Sequence, residues 1–396
     1  MSEKRPYSIG IIGSGRMGLD IFEYLSDFMF PLTLICISDQ ERLAAQKSIA
    51  RRMERRRRNG LIGEEQFDFR KMNCVISSSL KDCSGCDIII EAIYEDEEAK
   101  RTLYRNLEAI VREDAVIVSN SSSISPSRIA DSGISRGRCA GLHFFFPVRY
   151  KNVAELIRMD HTDDAVMRRL REFLAEINRF YLEMGEDDAF ILNRIVLDCQ
   201  AQACRFLTED RYTAREIDRI MQRRLFTHGI FEFFDSVGID VAARAVDNYA
   251  TLRGDIEFYR PLLMSLRKLM SENRLGKKTG AGFHDYARQG EAEIAGAIKG
   301  AERVELVLTA LYINSAFKAC ERGKWSPEDL EYALTEYTGC PEGPFALAQE
   351  IGTSELRDLL SEHHMTTGFE AFRPSRLLDR AGNDSQHERG DGEEVL

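Results

Sequence analysis

Tyr7-Ser8-Ile9-Gly10-Ile11-Ile12-Gly13-Ser14-Gly15-Arg16-Met17-Gly18 decides the fold of this chain. The first six residues read as a short buried strand, and Leu19 to Phe28 reads as a helix. Between them lies a GxGxxG turn. Its glycines allow a tight bend and close approach of backbone to a pyrophosphate, and the helix N-terminus favours an anion. Gly13, Gly15, Arg16, Met17 and Gly18 are therefore candidate dinucleotide-binding residues, with a plain glycine-rich turn as the alternative.

The pattern continues as expected for a parallel sheet. Leu32 to Ile37 is a second strand, Asn73 to Ser77 a third, Cys86 to Ala92 a fourth, Ala115 to Val118 a fifth and Cys139 to Phe144 a sixth. The fourth is almost continuously apolar, which suits a strand covered on both faces. A dinucleotide site usually has an acid at the end of the second strand for the ribose 2′-hydroxyl. Ile37 stands there, and Asp39, 21 residues after Gly18, is the nearest nominee. No arginine follows directly to hold a 2′-phosphate, which favours NAD over NADP. Glu95 and Lys100 follow the fourth strand, where ligands bind in such sheets, and Asn120-Ser121-Ser122-Ser123 follows the fifth.

His143 lies in Gly141-Leu142-His143-Phe144-Phe145-Phe146-Pro147-Val148, framed at a distance by Ser122, Glu155 and Asn193. A histidine can take a proton near neutral pH, a carboxylate can orient it, and a hydroxyl and an amide can hold a substrate oxygen. Taken alone, His143 reads more readily as a core histidine satisfied by backbone.

Length and composition narrow the classes. The 396 residues call for two or three domains, and 43% apolar residues suffice for real cores. A net charge of −11 argues against a nucleic-acid binder. No apolar run approaches the ~18 residues of a membrane span, and the polar start carries no signal-peptide core. Nine scattered cysteines suggest free thiols in a reducing, cytoplasmic setting. Cys83-Ser84-Gly85-Cys86 has no second pair, which argues against zinc, and no metal is expected.

Glu41 to Arg58 is a basic helix with Arg51, Arg55 and Arg58 at i, i+4 and i+7. It is either a solvated face or a phosphate-binding patch. From Asp163 onward the pattern turns mostly helical. Thr213 to Gly238 and Ser326 to Gly352 repeat one another at an offset of 113, then 114 after a one-residue slip, so a helical domain is duplicated.

Together Gly13–Gly18, Ile90-Glu91-Ala92, Ser119-Asn120-Ser121-Ser122, Gly141-Leu142-His143-Phe144-Phe145, Asn193-Arg194 and Gly276-Lys277-Lys278-Thr279-Gly280 resemble the L-3-hydroxyacyl-CoA dehydrogenase family, which includes the 3-hydroxybutyryl-CoA dehydrogenases. The resemblance implies a Rossmann-type α/β domain over 1–186, a helical substrate and dimerisation domain over 187–290, and its repeat over 291–380. Residues 381–396 are expected to be a disordered tail. It implies hydride transfer between NAD and C3 of an acyl thioester, carried by CoA or by an acyl carrier protein. His143 would be the base, paired with Glu155; Ser122 and Asn193 would bind the reacting oxygen and thioester. Glu95, Lys100, Ser122 and Lys278 would touch the cofactor, and Arg51, Arg55 or Arg58 the CoA phosphates. The expected assembly is a homodimer or a monomer. The chain departs from the family pattern at Ile37, where an acid is usual, and at Phe146, where a cofactor-contacting asparagine is usual. Other readings within the fold are a dehydrogenase of a small hydroxy acid and a non-catalytic nucleotide-binding or structural relative.

Overall fold

In a computed structural model the described residues are 7–131, 134–209, 211–222, 224–253, 255–286 and 296–378. They form two compact units, Met1–Phe190 and Ile191–Leu396. The tail expected at 381–396 lies outside the described residues.

The first unit is built on eight strands: β1 Ile9–Ile12, β2 Leu32–Ile35, β3 Cys74–Ser77, β4 Ile88–Glu91, β5 Val116–Ser119, β6 Cys139–Phe144, β7 Val153–Arg158 and β8 Phe180–Gly185. Their order is β3-β2-β1-β4-β5-β6-β7-β8. The first six are mutually parallel; β7 runs antiparallel to β6 and parallel to β8. The sequence reading stopped at six strands. β7 and β8 extend the sheet beyond His143, and β8 falls within a stretch read as mostly helical. β1, β2, β4 and β5 are buried throughout, because helices cover both faces.

The helices of this unit are α1 Arg16–Leu25, α2 Asp39–Arg58, α3 Glu64–Asn73, α4 Glu97–Glu108, α5 Pro126–Ile129 and α6 Asp164–Glu176. α1 buries Gly18, Ile21, Phe22 and Leu25, one stripe at helical spacing. It joins Ile9, Ile11, Leu32 and Leu34 in one core, to which Phe173 and Leu174 of α6 also belong. Leu103, Tyr104 and Leu107 of α4 fill a second core with Ile12, Ile35, Ile89 and Ile117. The chain runs from β1 outward through β2 and β3, then returns to β4 on the other side of β1. That reversal leaves a crevice at the carboxyl ends of β1 and β4, the usual ligand position in such sheets.

The second unit is helical: α7 Ile191–Thr208, α8 Ala214–Met221, α9 Ile230–Val237, α10 Ile239–Arg253, α11 Ile256–Ser271, α12 Ala301–Cys320, α13 Pro327–Thr338, α14 Pro344–Ile351 and α15 Thr353–Thr367. α7 and α12 are buried on nearly all sides and pack against each other. The two repeated stretches make corresponding local contacts. Thr213 and Ser326 cap α8 and α13 with their side chains. Asp218 accepts the Phe231 and Glu232 amides at the start of α9, at 2.8 and 2.9 Å. Glu331, 113 residues on, accepts the Phe345 and Ala346 amides at the start of α14, at 2.8 and 3.3 Å. A negative charge at a helix N-terminus satisfies donors that have no partner within the helix.

Candidate active site

The glycine turn is shaped by three different demands. Gly13 has φ +113°, and a Cβ there would collide with the carbonyl oxygen of Ala92. A Cβ on Gly18 would collide with the carbonyl oxygen of Gly13. These two glycines let the turn and α1 press onto the β1–β4 crossing. A Cβ on Gly15 would meet nothing within 4 Å. Gly15 is also the N-cap of α1 and makes no side-chain cap, so the first amides of α1 have no capping side chain. An open cradle at an uncapped helix start fits a pyrophosphate. Met17 packs against the core, whereas Arg16 is exposed, with its guanidinium 3.8 Å from the Phe146 ring centroid.

The carboxyl edge of β4, β5 and β6 carries a connected polar set. Glu95 accepts from the Ser121 hydroxyl at 2.6 Å, the Ser123 hydroxyl at 2.9 Å, and the Ser122 and Ser123 amides at 3.1 Å each. Burial pushes its carboxyl up, but Lys100 and these hydrogen bonds outweigh that and hold it below the usual glutamate value. Lys100 is 1% exposed, with Nζ 2.6 Å from Glu91 and 3.4 Å from Glu95. Its charge is thus spent inside the protein. Glu91 also accepts from the Ser119 hydroxyl at 2.6 Å. Ser122 is half-buried at the head of this turn.

His143 and Glu155 are register partners across β6 and β7. Nδ1 of His143 is 2.8 Å from Oε2 of Glu155; Glu155 is fully buried and His143 is 4% exposed. A carboxylate accepts, so Nδ1 carries the proton and Nε2 of the neutral ring is the acceptor. Nε2 has no hydrogen-bond partner among the described residues. Phe145 lies against the ring at 4.3 Å and Phe190 meets it edge-on at 5.7 Å. Asn120 Oδ1 accepts the Phe144 amide at 2.8 Å, and Asp20 accepts the Val148 amide at 2.5 Å, anchoring both ends of the aromatic segment.

Glu91 and Asn120 stand inside motifs that carry the family resemblance, yet their roles, like that of Asp20, are not readable from the sequence, because side chains that tie strand ends together leave no periodic signal.

Asn193 lies in the first turn of α7, in the second unit. Its Nδ2 donates to the Tyr249 hydroxyl at 3.0 Å and its Oδ1 accepts from the Tyr337 hydroxyl at 2.8 Å. Lys278, also in this unit, pairs with Asp240 at 2.5 Å.

On α2 the basic residues divide into two groups. Arg56 pairs with Asp27 at 2.7 Å, Arg57 with Glu54 and Glu64, and Arg52 with Glu23. Arg51, Arg55 and Arg58 are exposed and have no ion pair or hydrogen bond among the described residues. Asp39 sits in the first turn of α2, where Arg42 and then Ser78 hold its carboxyl below the usual aspartate value.

Residues 8–187 match the family model "3-hydroxyacyl-CoA dehydrogenase, NAD binding domain". Residues 190–286 and 307–396 both match "3-hydroxyacyl-CoA dehydrogenase, C-terminal domain". The chain belongs to the 3-hydroxyacyl-CoA dehydrogenase family. It is 31% identical to a 3-hydroxybutyryl-CoA dehydrogenase of Bradyrhizobium diazoefficiens, over 70% of this chain and 94% of that one. It is 26% identical to the human mitochondrial hydroxyacyl-coenzyme A dehydrogenase, over 70% and 90%. The 3-hydroxybutyryl-CoA dehydrogenase structure from Escherichia coli superposes with a TM-score of 0.83 at 21% identity, covering 97% of this chain and 100% of that one. That likeness carries the fold across both helical copies. The (S)-3-hydroxybutyryl-CoA dehydrogenase of Ralstonia eutropha gives 0.64 at 27% identity, over 72% and 100%.

This dehydrogenase is thus an NAD-dependent oxidoreductase whose first unit is the NAD-binding domain. At the position where an acid is usual, Ile37 is 75% exposed just beyond β2. Cys83 and Cys86 are both buried free thiols, not bonded to each other. Among the described residues no helix is long and apolar enough to cross a membrane, and no group of three or more His, Cys, Asp or Glu could hold a metal ion.

Proposed function

We propose that this dehydrogenase interconverts 3-hydroxyacyl and 3-oxoacyl thioesters of CoA, with His143 as the general base. The observation that carries this reading is the buried His143–Glu155 pair with Nε2 left free, at the carboxyl edge of the sheet that carries the glycine turn. In the oxidative direction Nε2 takes the proton of the 3-hydroxyl; in the reverse direction it returns it. Glu155 fixes the tautomer and stabilises the charged ring. NAD, when bound, accepts the hydride from C3. Gly15 and the first amides of α1, which no side chain caps, would hold its pyrophosphate. The Ser122 hydroxyl binds the reacting oxygen, and Glu95 sets the main chain that presents it. Lys100 acts through Glu95, because its own charge is buried and paired. Asn193 donates from Nδ2 to the thioester carbonyl, and Lys278 meets the cofactor.

CoA is favoured as the carrier by the free face of α2. Three unpaired arginines at one helix face suit the 3′-phosphate and pyrophosphate of CoA, since the guanidinium fork matches phosphate oxygens. The test is NADH formation from a panel of 3-hydroxyacyl-CoA thioesters of increasing chain length. Turnover of at least one, abolished by His143→Gln, is expected. Tight NAD binding with no turnover of any thioester would overturn the reading.

A further inference from the structure

Asn193 lies in the second unit's first helical copy, and its amide is held from two directions. Tyr249 of α10, in the same copy, accepts from Nδ2; Tyr337 of α13, in the second copy, donates to Oδ1. An amide nitrogen has two hydrogens. One goes to Tyr249, and the other has no acceptor among the described residues.

The contact from the second copy has a counterpart. The offset of 113 maps Tyr337 onto Arg224 and Asn193 onto Leu306. Arg224, just beyond α8, pairs with Glu305 at 3.5 Å, next to Leu306 in the first turns of α12, and also with Glu350. Each copy therefore reaches from around the end of its second helix to the start of the other copy's first helix. The exchange is symmetrical in place but not in chemistry. Only one copy has an amide at that point; the other has a leucine, which can donate nothing.

We propose that Tyr337 is a positioning residue for the reaction: by holding Oδ1 it fixes the facing of the Asn193 amide, so that the unused Nδ2 hydrogen is offered to the thioester carbonyl. The terminal torsion of asparagine is broad and roughly two-fold. Without the phenol, the amide can turn and present its oxygen to the substrate oxygen, which repels. The second copy then serves the chemistry of the first without a reacting group of its own. This rests on the role proposed above for Asn193.

The experiment is a double-mutant cycle on the full chain with a 3-hydroxyacyl-CoA substrate. Tyr337→Phe keeps the ring and removes one oxygen. It is expected to lower kcat/KM about threefold to tenfold, the usual worth of one neutral hydrogen bond, with NAD affinity unchanged. In the Asn193→Ala background the same change is expected to cost nothing further, because its target is gone. A merely structural role would cost the same in both backgrounds, and that additivity would overturn the proposal. So would a silent Tyr337→Phe beside a damaging Asn193→Ala. If Asn193→Ala is itself silent, the role of Asn193 and this proposal fall together. Tyr337→His, which keeps an N–H donor on an aromatic ring, is expected to retain more activity than Tyr337→Phe. Equal loss in both would count against a donor role.

Discussion

His143 and Glu155 face each other across an antiparallel strand pair, joined at 2.8 Å with the carboxylate wholly inside the protein. A base on a strand, oriented by the neighbouring strand, has little freedom to turn. His143→Gln should lower kcat by roughly 10²–10⁴, the range for positioned general-base catalysis, with NAD affinity unchanged. Glu155→Gln keeps a hydrogen-bond acceptor but removes the charge, and should cost about tenfold in kcat. Steady-state kinetics paired with NAD titration checks both; wild-type turnover by the His143 variant would remove it from the mechanism.

The glycine turn separates folding from binding. Gly18→Ala brings a methyl onto the Gly13 carbonyl, so the melting temperature should fall clearly. Gly15→Ala meets no protein atom, so its melting curve should stay within about 0.5 kcal/mol of the parent while NAD binds more weakly. Thermal unfolding with and without NAD reads the two effects apart. Equal melting behaviour of the two variants would contradict this assignment.

Ile37 offers the ribose no acceptor. Ile37→Asp supplies a charged one, worth about 1.5–3 kcal/mol when well placed, and should tighten NAD roughly tenfold or more. Asp39 cannot do this as readily, because Arg42 and Ser78 already engage its carboxylate. An unchanged Kd would show that the ribose is held from elsewhere.

The unpaired arginines of α2 predict a salt-dependent KM. Exposed charges contribute about 0.2–1 kcal/mol each, so replacing Arg51, Arg55 and Arg58 with alanine should raise KM for a CoA thioester severalfold at low salt. kcat and the KM for the corresponding pantetheine thioester should not move, and the difference should shrink as salt rises. Arg52→Ala, which removes a residue already paired with Glu23, is the control and should leave KM unchanged.

Glu95 ties part of the stability to pH. Its folded value lies below the ordinary 4.5, so the folded state binds this proton less readily than the unfolded chain. The contribution is complete above the ordinary value and is lost as pH falls through the folded one. Melting temperature should therefore drop on acidification below about pH 4.5, and Glu95→Gln should flatten that drop. A Glu95→Gln curve parallel to the parent curve would show that other carboxylates carry the acid sensitivity.

The nucleotide half of the fold was legible because its signals are local. A glycine turn between a strand and a helix, and four-residue apolar runs, need no knowledge of distant partners. β8 was not legible: its residues are only alternately buried at the sheet edge, and Phe180 to Gly185 mixes charge with apolar residues in a helical setting. That Glu155 pairs with His143 was implied by the family resemblance, but the strand that delivers Glu155 was not read from the sequence. The inward placement of Lys100 and the reach of Tyr337 to Asn193 depend on contacts between elements far apart in sequence, which no periodicity reports.

The β6–β7 pairing has a consequence for the length of the chain. Side chains on a strand alternate between faces, so a slip of one residue would set Ala154 or Leu156 opposite His143 and send Glu155 to the other side of the sheet. The eight residues from Phe145 to Asn152 that join the two strands are therefore constrained in number as well as in kind. A single deletion there, touching neither partner, is expected to silence the enzyme as thoroughly as replacing the histidine.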